Sequence, residues 1–430
     1  MWLCAIRALS GREGPFLGGF GLECALLWSP RKRSERETNM RPNKFLNKHS
    51  YGAETTAKYG KSHKALAVFL LWFIILSVSP AFSHAAESLP DLPPGTEASK
   101  DPIFYDSASP GINLVLHDRF KESLLLFEEL QQKYPNHPAP HFFKAATYQG
   151  WMSLSRLNKF QEEFEKDIQL TIEKGHELLK QGNDPWILFY LGAAYGYRAF
   201  NEFRKHNWID SYFDAKKGVD SFQEALERDP KLFDVYLGLG SYHYWRTAKS
   251  NFLRLITFWI PDKRELGLRQ IEFAFQHGSY SPDQAGYNLI AAYFDYGQYN
   301  KAMQILNRIL EKKKTAGLSD LYYKGRLLIE FERWAEAESV FREILEHLEN
   351  DKFASAGYKA ECMFWIAALL TKQKKRSEAL EFAEMALAQS GERKADAELE
   401  GPFENFREIE DRLQRLHQYL TGEGEGEFYW

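Results

Sequence analysis

The feature that most constrains this chain is a helical hairpin that recurs along it and is clearest between Ser281 and Leu310, SPDQAGYNLIAAYFDYGQYNKAMQILNRIL. Ala285, Leu289, Ala292, Tyr293 and Tyr296 fall at three- and four-residue steps, so they share one helical face. Pro282 suits a first helical position, with Ser281 placed to cap it and Gln284 three residues past the cap. Gly297 stands where a left-handed residue closes a helix. Ala302, Ile305, Leu306, Ile309 and Leu310 then rebuild an apolar stripe. Neither helix can bury its stripe alone, so such a unit needs neighbours of its own kind.

The neighbours are legible on both sides. A stripe of Phe120, Leu124, Phe127 and Leu130 ends at Tyr134-Pro135. The next pair opens near Pro138, with Phe142, Ala145, Ala146 and Tyr148, and returns over a longer helix from Phe160 to Leu179. A third starts at Pro185 (WILFYLGAAYGY) and returns through Gly218, Phe222 and Ala225 to Asp229-Pro230. A fourth runs from Phe233 to Trp245 and closes with Gly267, Ile271 and Ala274. After the Ser281 pair come Tyr322, Gly325 and Leu328 with Trp334, Ala337, Phe341 and Ile344. Met363, Ala367 and Leu370 with Ala379, Ala383 and Ala386 make the seventh. Glu404 to Leu420 reads as a charged last helix, a polar cap for the open end.

Leu188, Leu191-Gly192 and Tyr195, then Tyr236, Leu239-Gly240 and His243, with closing prolines at 135 and 230, resemble the tetratricopeptide repeat (TPR) family. Tyr293 to Leu328 spans 35 residues, against a family period of about 34. Gly192 to Gly240 spans 48, so a loop or helix there is longer than the family's. The resemblance covers roughly residues 104–390. It implies an all-α, right-handed superhelical solenoid whose first helices line a concave face, and a module that binds a protein or peptide partner there. By register the groove-facing residues are Phe189, Tyr197, Leu237, Tyr244, Trp245, Tyr287, Phe294, Tyr322 and Arg326. Aromatics with a polar tip supply much of the energy at such surfaces.

Before the repeats, Ala65 to Val78 is an uninterrupted apolar run of 14 residues, preceded by Lys58, Lys61 and Lys64 and followed by Ser83-His84-Ala85-Ala86. That is the layout of a secretory signal peptide cut near Ala85; an uncleaved anchor is the other reading, although a membrane span needs about 20 residues. Met40 makes a more natural start than Met1. The chain therefore divides into 1–39 (an over-extended start or disordered), 40–85 (signal region), 86–103 (linker), 104–390 (solenoid), 391–420 (capping helix) and 421–430 (flexible tail). The expected location is the periplasm or cell envelope.

Lys plus Arg (55) nearly balances Asp plus Glu (59), and no basic stripe emerges, so nucleic acid is not the expected partner. Of Cys4, Cys24 and Cys362 only the last falls in the exported part, among Met363, Phe364, Trp365 and Ile366, as a buried thiol. His137 and His141 flank prolines and make no helical metal face, and no nucleophile elbow, phosphate loop or paired-cysteine motif occurs, so neither metal, cofactor nor enzymatic chemistry is expected. The oddest stretch is Arg246 to Lys263, apolar nearly all round, in which Phe252, Phe258 and Trp259 offer a ligand or membrane contact. The primary expectation is an exported scaffold for protein–protein interaction. The alternative is a periplasmic binding protein that encloses a small apolar or lipidic ligand under that insert.

Overall fold

First helices and second helices of this chain are built to different rules. From the second pair on, the first helix carries long buried runs, as in Trp186–Gly192, Asn288–Phe294 and Ala360–Leu370, because it is packed on several sides, whereas the end helix Tyr105–Leu116 buries only Ala108 and Gly111. The second is buried along one stripe, for example Ala302, Ile305, Leu306 and Ile309, and leaves its charges in water. The computed structural model describes residues 88–248, 261–351 and 354–423, all within one unit of the chain. Residues 1–87, with the signal region, lie outside the described residues, as do Phe252, Phe258 and Trp259 of the insert and 424–430 of the tail.

Fifteen helices are present among the described residues: α1 (Tyr105–Leu116), α2 (Phe120–Lys133), α3 (Pro138–Ser155), α4 (Gln161–Leu179), α5 (Pro185–Arg204), α6 (Trp208–Arg228), α7 (Val235–Ala248), α8 (Arg264–His277), α9 (Pro282–Asp295), α10 (Tyr299–Lys313), α11 (Leu318–Glu330), α12 (Trp334–Asn350), α13 (Ala356–Lys372), α14 (Arg376–Ser390) and α15 (Phe406–Thr421). Consecutive helices pack on each other throughout, giving seven hairpins and a last helix on α13 and α14. This is an all-α solenoid of TPR-like helix pairs, with no strand among the described residues beyond an isolated Leu157–Glu398 bridge. The long interval between Gly192 and Gly240 lies in helix, since α5 and α6 have 20 and 21 residues.

Two devices recur. The turn inside a hairpin carries one left-handed residue: Asp118, Arg156, His206, Gly297, Glu332 and Lys374 have φ between 54° and 73°. Only Gly297 announces this in the sequence. Close crossing through glycine is the other. A Cβ on Gly240 would stand 2.7 Å from the Gly267 carbonyl oxygen, and one on Gly267 would stand 2.6 Å from that of Gly240.

Caps follow local chemistry. Pro138, Pro185 and Pro282 each open a helix, and the Asp184 carboxylate accepts from the Trp186 amide at 2.9 Å. Ser281 corrects the sequence expectation. It is the N-cap residue, but with φ −117° and ψ 21° its backbone is not in the extended conformation typical of a cap; its side chain caps no amide of α9, and its hydroxyl donates to Asp234 Oδ1 at 2.8 Å.

His137 caps α3 through Nδ1, which accepts from the Ala139 amide at 3.2 Å, and only the neutral ring can do so. Burial pulls its pKa down to about 4 against an opposing pull from Asp101. The folded value is below the ordinary one near 6.5, so the unfolded chain takes the proton first. Stability is therefore fully present above pH ~6.5 and falls as the pH drops toward ~4, by about 1–2 kcal/mol after allowance for solvent screening. Urea titrations at the two ends of that window measure the loss, and His137→Asn, which retains a cap, removes that component.

Candidate functional site

Successive first helices touch from α1 to α3, α5, α7 and α9, so their free faces make one continuous surface. In the later half of the chain that surface is covered by the chain itself. Residues 391–405, expected as the start of a capping helix, are irregular and lie across it; helix resumes only at Phe406. Phe403 stacks on Phe294 with ring centroids 4.0 Å apart and faces Tyr322 at 6.0 Å. Glu404, also expected in that helix, binds Arg326 through both oxygens, one contact at 2.8 Å, while the guanidinium lies 4.3 Å from the Trp365 ring. Glu398 accepts from the Gly357 amide at 2.8 Å and from the Ser355 hydroxyl.

The same segment ties the seventh hairpin to the second. Asn158 N donates to Ala397 O at 3.0 Å and Leu399 N to Arg156 O at 2.8 Å. Arg156 pairs with Glu361, 205 positions away, and rests on the Tyr358 ring at 3.6 Å. The N-terminal approach is also held down. Residues 88–103 have no helix, as their prolines require, yet Ser99 N donates to Lys231 O at 2.9 Å and Tyr190 Oη to Asp101 Oδ2 at 2.6 Å. The expected linker is thus docked on the third and fourth hairpins over at least its last residues.

This closure corrects part of the expected groove. Phe294, Tyr322 and Arg326 are buried under residues 402–404, since the aromatic and cationic faces that suit a partner suit the chain's own Phe and Glu equally well. Tyr244 and Trp245 are core: Tyr244 Oη donates to Ala292 O and reaches Asp295, both at 2.8 Å, and binds α7 to α9. Tyr287 is half-buried, with its hydroxyl donating to Asp320 at 2.6 Å. Cys362 is fully buried, and burial pushes its thiol pKa well up.

Phe189, Tyr197 and Leu237 come together in the uncovered half. They line an apolar cavity of ≈ 190 Å³ with Phe142, Phe143 and Thr147 of α3, Ala215, Val219 and Phe222 of α6, and the ends of α1 and α9. Small residues make the room: Gly192, Ala193 and Gly196 on α5, Gly218 on α6, Gly238 on α7. A cavity of about 150 Å³ holds a benzene, so this one takes a ring or a branched side chain. Its wall is not wholly apolar. Ser241 Oγ and Asn288 Oδ1 are buried there with no hydrogen-bond partner among the described residues. Such groups cost about 1–3 kcal/mol each, which a ligand that bonds them recovers. Neither residue stands out in the sequence, although the runs GAAYG and GLGS on first helices signal that space is left there.

A second cavity of ≈ 130 Å³ adjoins it, sharing Val115, Leu116 and Gln284. Asp118, Arg156, Tyr287 and Lys313 face it, but both cations are already engaged, Arg156 with Glu361 and Lys313 with Asp320 at 2.6 Å. Burial raises the Asp118 pKa despite Lys313. An added anion would meet no unneutralised cation. Among the described residues no group of His, Cys, Asp and Glu is arranged to hold a metal ion, and no helix is long and apolar enough to cross a membrane.

No family model matches the sequence, and no curated protein matches it. Solved structures similar to the chain include the C-terminal part of a TPR repeat-containing protein from Cytophaga hutchinsonii (18% identity over 67% of this chain and 96% of that one, TM-score 0.33). Yeast Tom70 is similar at 14% identity over 86% and 76%, TM-score 0.36. NprR, solved in complex with its cognate peptide NprX, is similar at 13% identity over 74% and 84%, TM-score 0.37.

Proposed function

We propose that the chain is an interaction module of the bacterial cell envelope that grips an apolar segment of a partner protein between its first and fifth hairpins. The observation that carries this reading is the cavity of ≈ 190 Å³ and its two buried polar groups lacking partners. An apolar side chain fills the space, while a main-chain N–H meets Asn288 Oδ1 and a carbonyl meets Ser241 Oγ. Export rests on the apolar run Ala65–Val78 with its lysines and small residues. No catalytic role is assigned.

A photo-crosslinking residue at Leu237 is expected to capture a protein from envelope extract, and the same residue at the covered Phe403 is not. Leu237→Glu should weaken that partner by at least about 30-fold, the loss of one anchoring contact. Equal capture from both positions would reject the reading. The partial enclosure of the cavity favours the second reading, a small apolar or lipidic ligand; native mass spectrometry of the purified chain then shows a co-purifying small molecule.

A further inference from the structure

The second cavity carries a charge that the chain does not balance. Three charged side chains line it, Asp118, Arg156 and Lys313. Arg156 is paired with Glu361, and Lys313 Nζ donates to Asp320 Oδ2 at 2.6 Å and to Tyr287 Oη at 3.2 Å. One ammonium thus serves two carboxylates, and Asp118 forms no direct ion pair among the described residues. Cations further out do not make up the difference. Arg119 is matched by Glu122, Lys312 by Asp283 and Arg326 by Glu404. Lys121, Lys314, Lys324 and Lys359 are not in the lining, and His117 is engaged with Asn113 O at 2.9 Å.

Two turns far apart in the chain hold this carboxylate in place. Asp118 sits at φ 60° in the turn of the first hairpin and accepts from the Leu318 amide. Gly317 gives it room, since a Cβ there would overlap Asp118 Oδ2. Burial raises the Asp118 pKa, and a cation brought into the cavity relieves that cost. Phe120, Tyr287 and Tyr323 add a wall suited to the methylenes and charged head of a basic side chain. This cavity shares Val115, Leu116 and Gln284 with the apolar one. On an extended segment, side chains two residues apart point the same way about 7 Å from each other, the scale of adjoining cavities.

We propose that the second cavity takes a basic side chain of the same partner segment whose apolar side chain fills the first, so that the module recognises an apolar residue followed two positions later by Lys or Arg. The proposal rests on the partner-binding reading and names the partner's chemistry. Its test measures, by titration calorimetry on the full chain, the binding of acetyl-Gly-Phe-Ser-Lys-Gly-amide and of versions with norleucine or Glu in place of Lys. The Lys peptide is expected to bind at least about 10-fold tighter than the norleucine peptide, the usual contribution of a hydrogen bond to a charged group, and the Glu peptide weakest. Asp118→Asn keeps an acceptor for Leu318 and a residue that tolerates the left-handed turn. It should erase the preference for Lys while the norleucine peptide binds as before. Equal binding of the Lys and norleucine peptides, or a preference that survives Asp118→Asn, would overturn the proposal and leave the partner-binding reading standing. No binding by any of the three overturns both. Binding of n-butylamine as tight as that of the Lys peptide would overturn the proposal in favour of a small amine.

Discussion

Glu404→Ala is expected to destabilise the protein by about 3–5 kcal/mol, the usual result of removing one member of a buried ion pair. Its partner Arg326 is buried, held between Glu404, the Trp365 ring and the Phe403 ring at 5.0 Å, and cannot turn to water without displacing Phe403. Arg412 approaches Glu404 at 3.5 Å and would lose its contact as well. The double replacement Arg326→Met, Glu404→Leu should recover most of the loss, since it leaves neither a buried charge nor a cavity. Urea denaturation of the three variants measures the effect. A single variant with wild-type stability would mean that residues 391–405 do not hold the later hairpins together.

Asp234→Ala is expected to cost roughly 4 kcal/mol or more, which is exceptional for one polar side chain. Asp234 is buried at the start of α7 and accepts from the amides of Ser279, Tyr280 and Ser281 at 2.8, 2.9 and 2.8 Å. The Ser281 hydroxyl adds a fourth bond, and the Ser279 hydroxyl lies 2.8 Å from Asp234 Oδ2 and 3.0 Å from Ser99 O. Truncation leaves three amide donors of the α8–α9 turn without their acceptor, and each such group costs about 1–3 kcal/mol. Asp234→Asn should recover little, because half of its amide presents hydrogens to donors. Tyr280 and Ser281 also border the apolar cavity, so hydrogen exchange of that turn in the variant reads whether the site loosens with it.

The hairpins themselves were legible because everything that makes them is local. Pro282, Gly297 and the stripe from Ala285 to Tyr293 act within a few residues of each other, and the structure places all of them as that spacing requires. The left-handed turns at Asp118, His206, Glu332 and Lys374 were hidden, since any side chain can be held there once the flanking helices pack. The setting of Ser281 was hidden for a related reason: a carboxylate 47 residues away takes its hydroxyl proton. The candidate site divided along the same line. Phe189, Tyr197 and Leu237 reach the cavity, whereas Phe294, Tyr322 and Arg326 have the same local pattern and are covered.

What the sequence determined alone is the repeating unit: amphipathic periods, prolines at helix starts and glycines at crossings specify helix pairs that must stack. What only the tertiary structure decided is which part of the inner surface stays open. Residues 391–405 reach back to Arg156 and Arg326, and that fit depends on how seven hairpins accumulate their rotation. No period of three or four residues carries such information, because it arises between groups up to 238 positions apart.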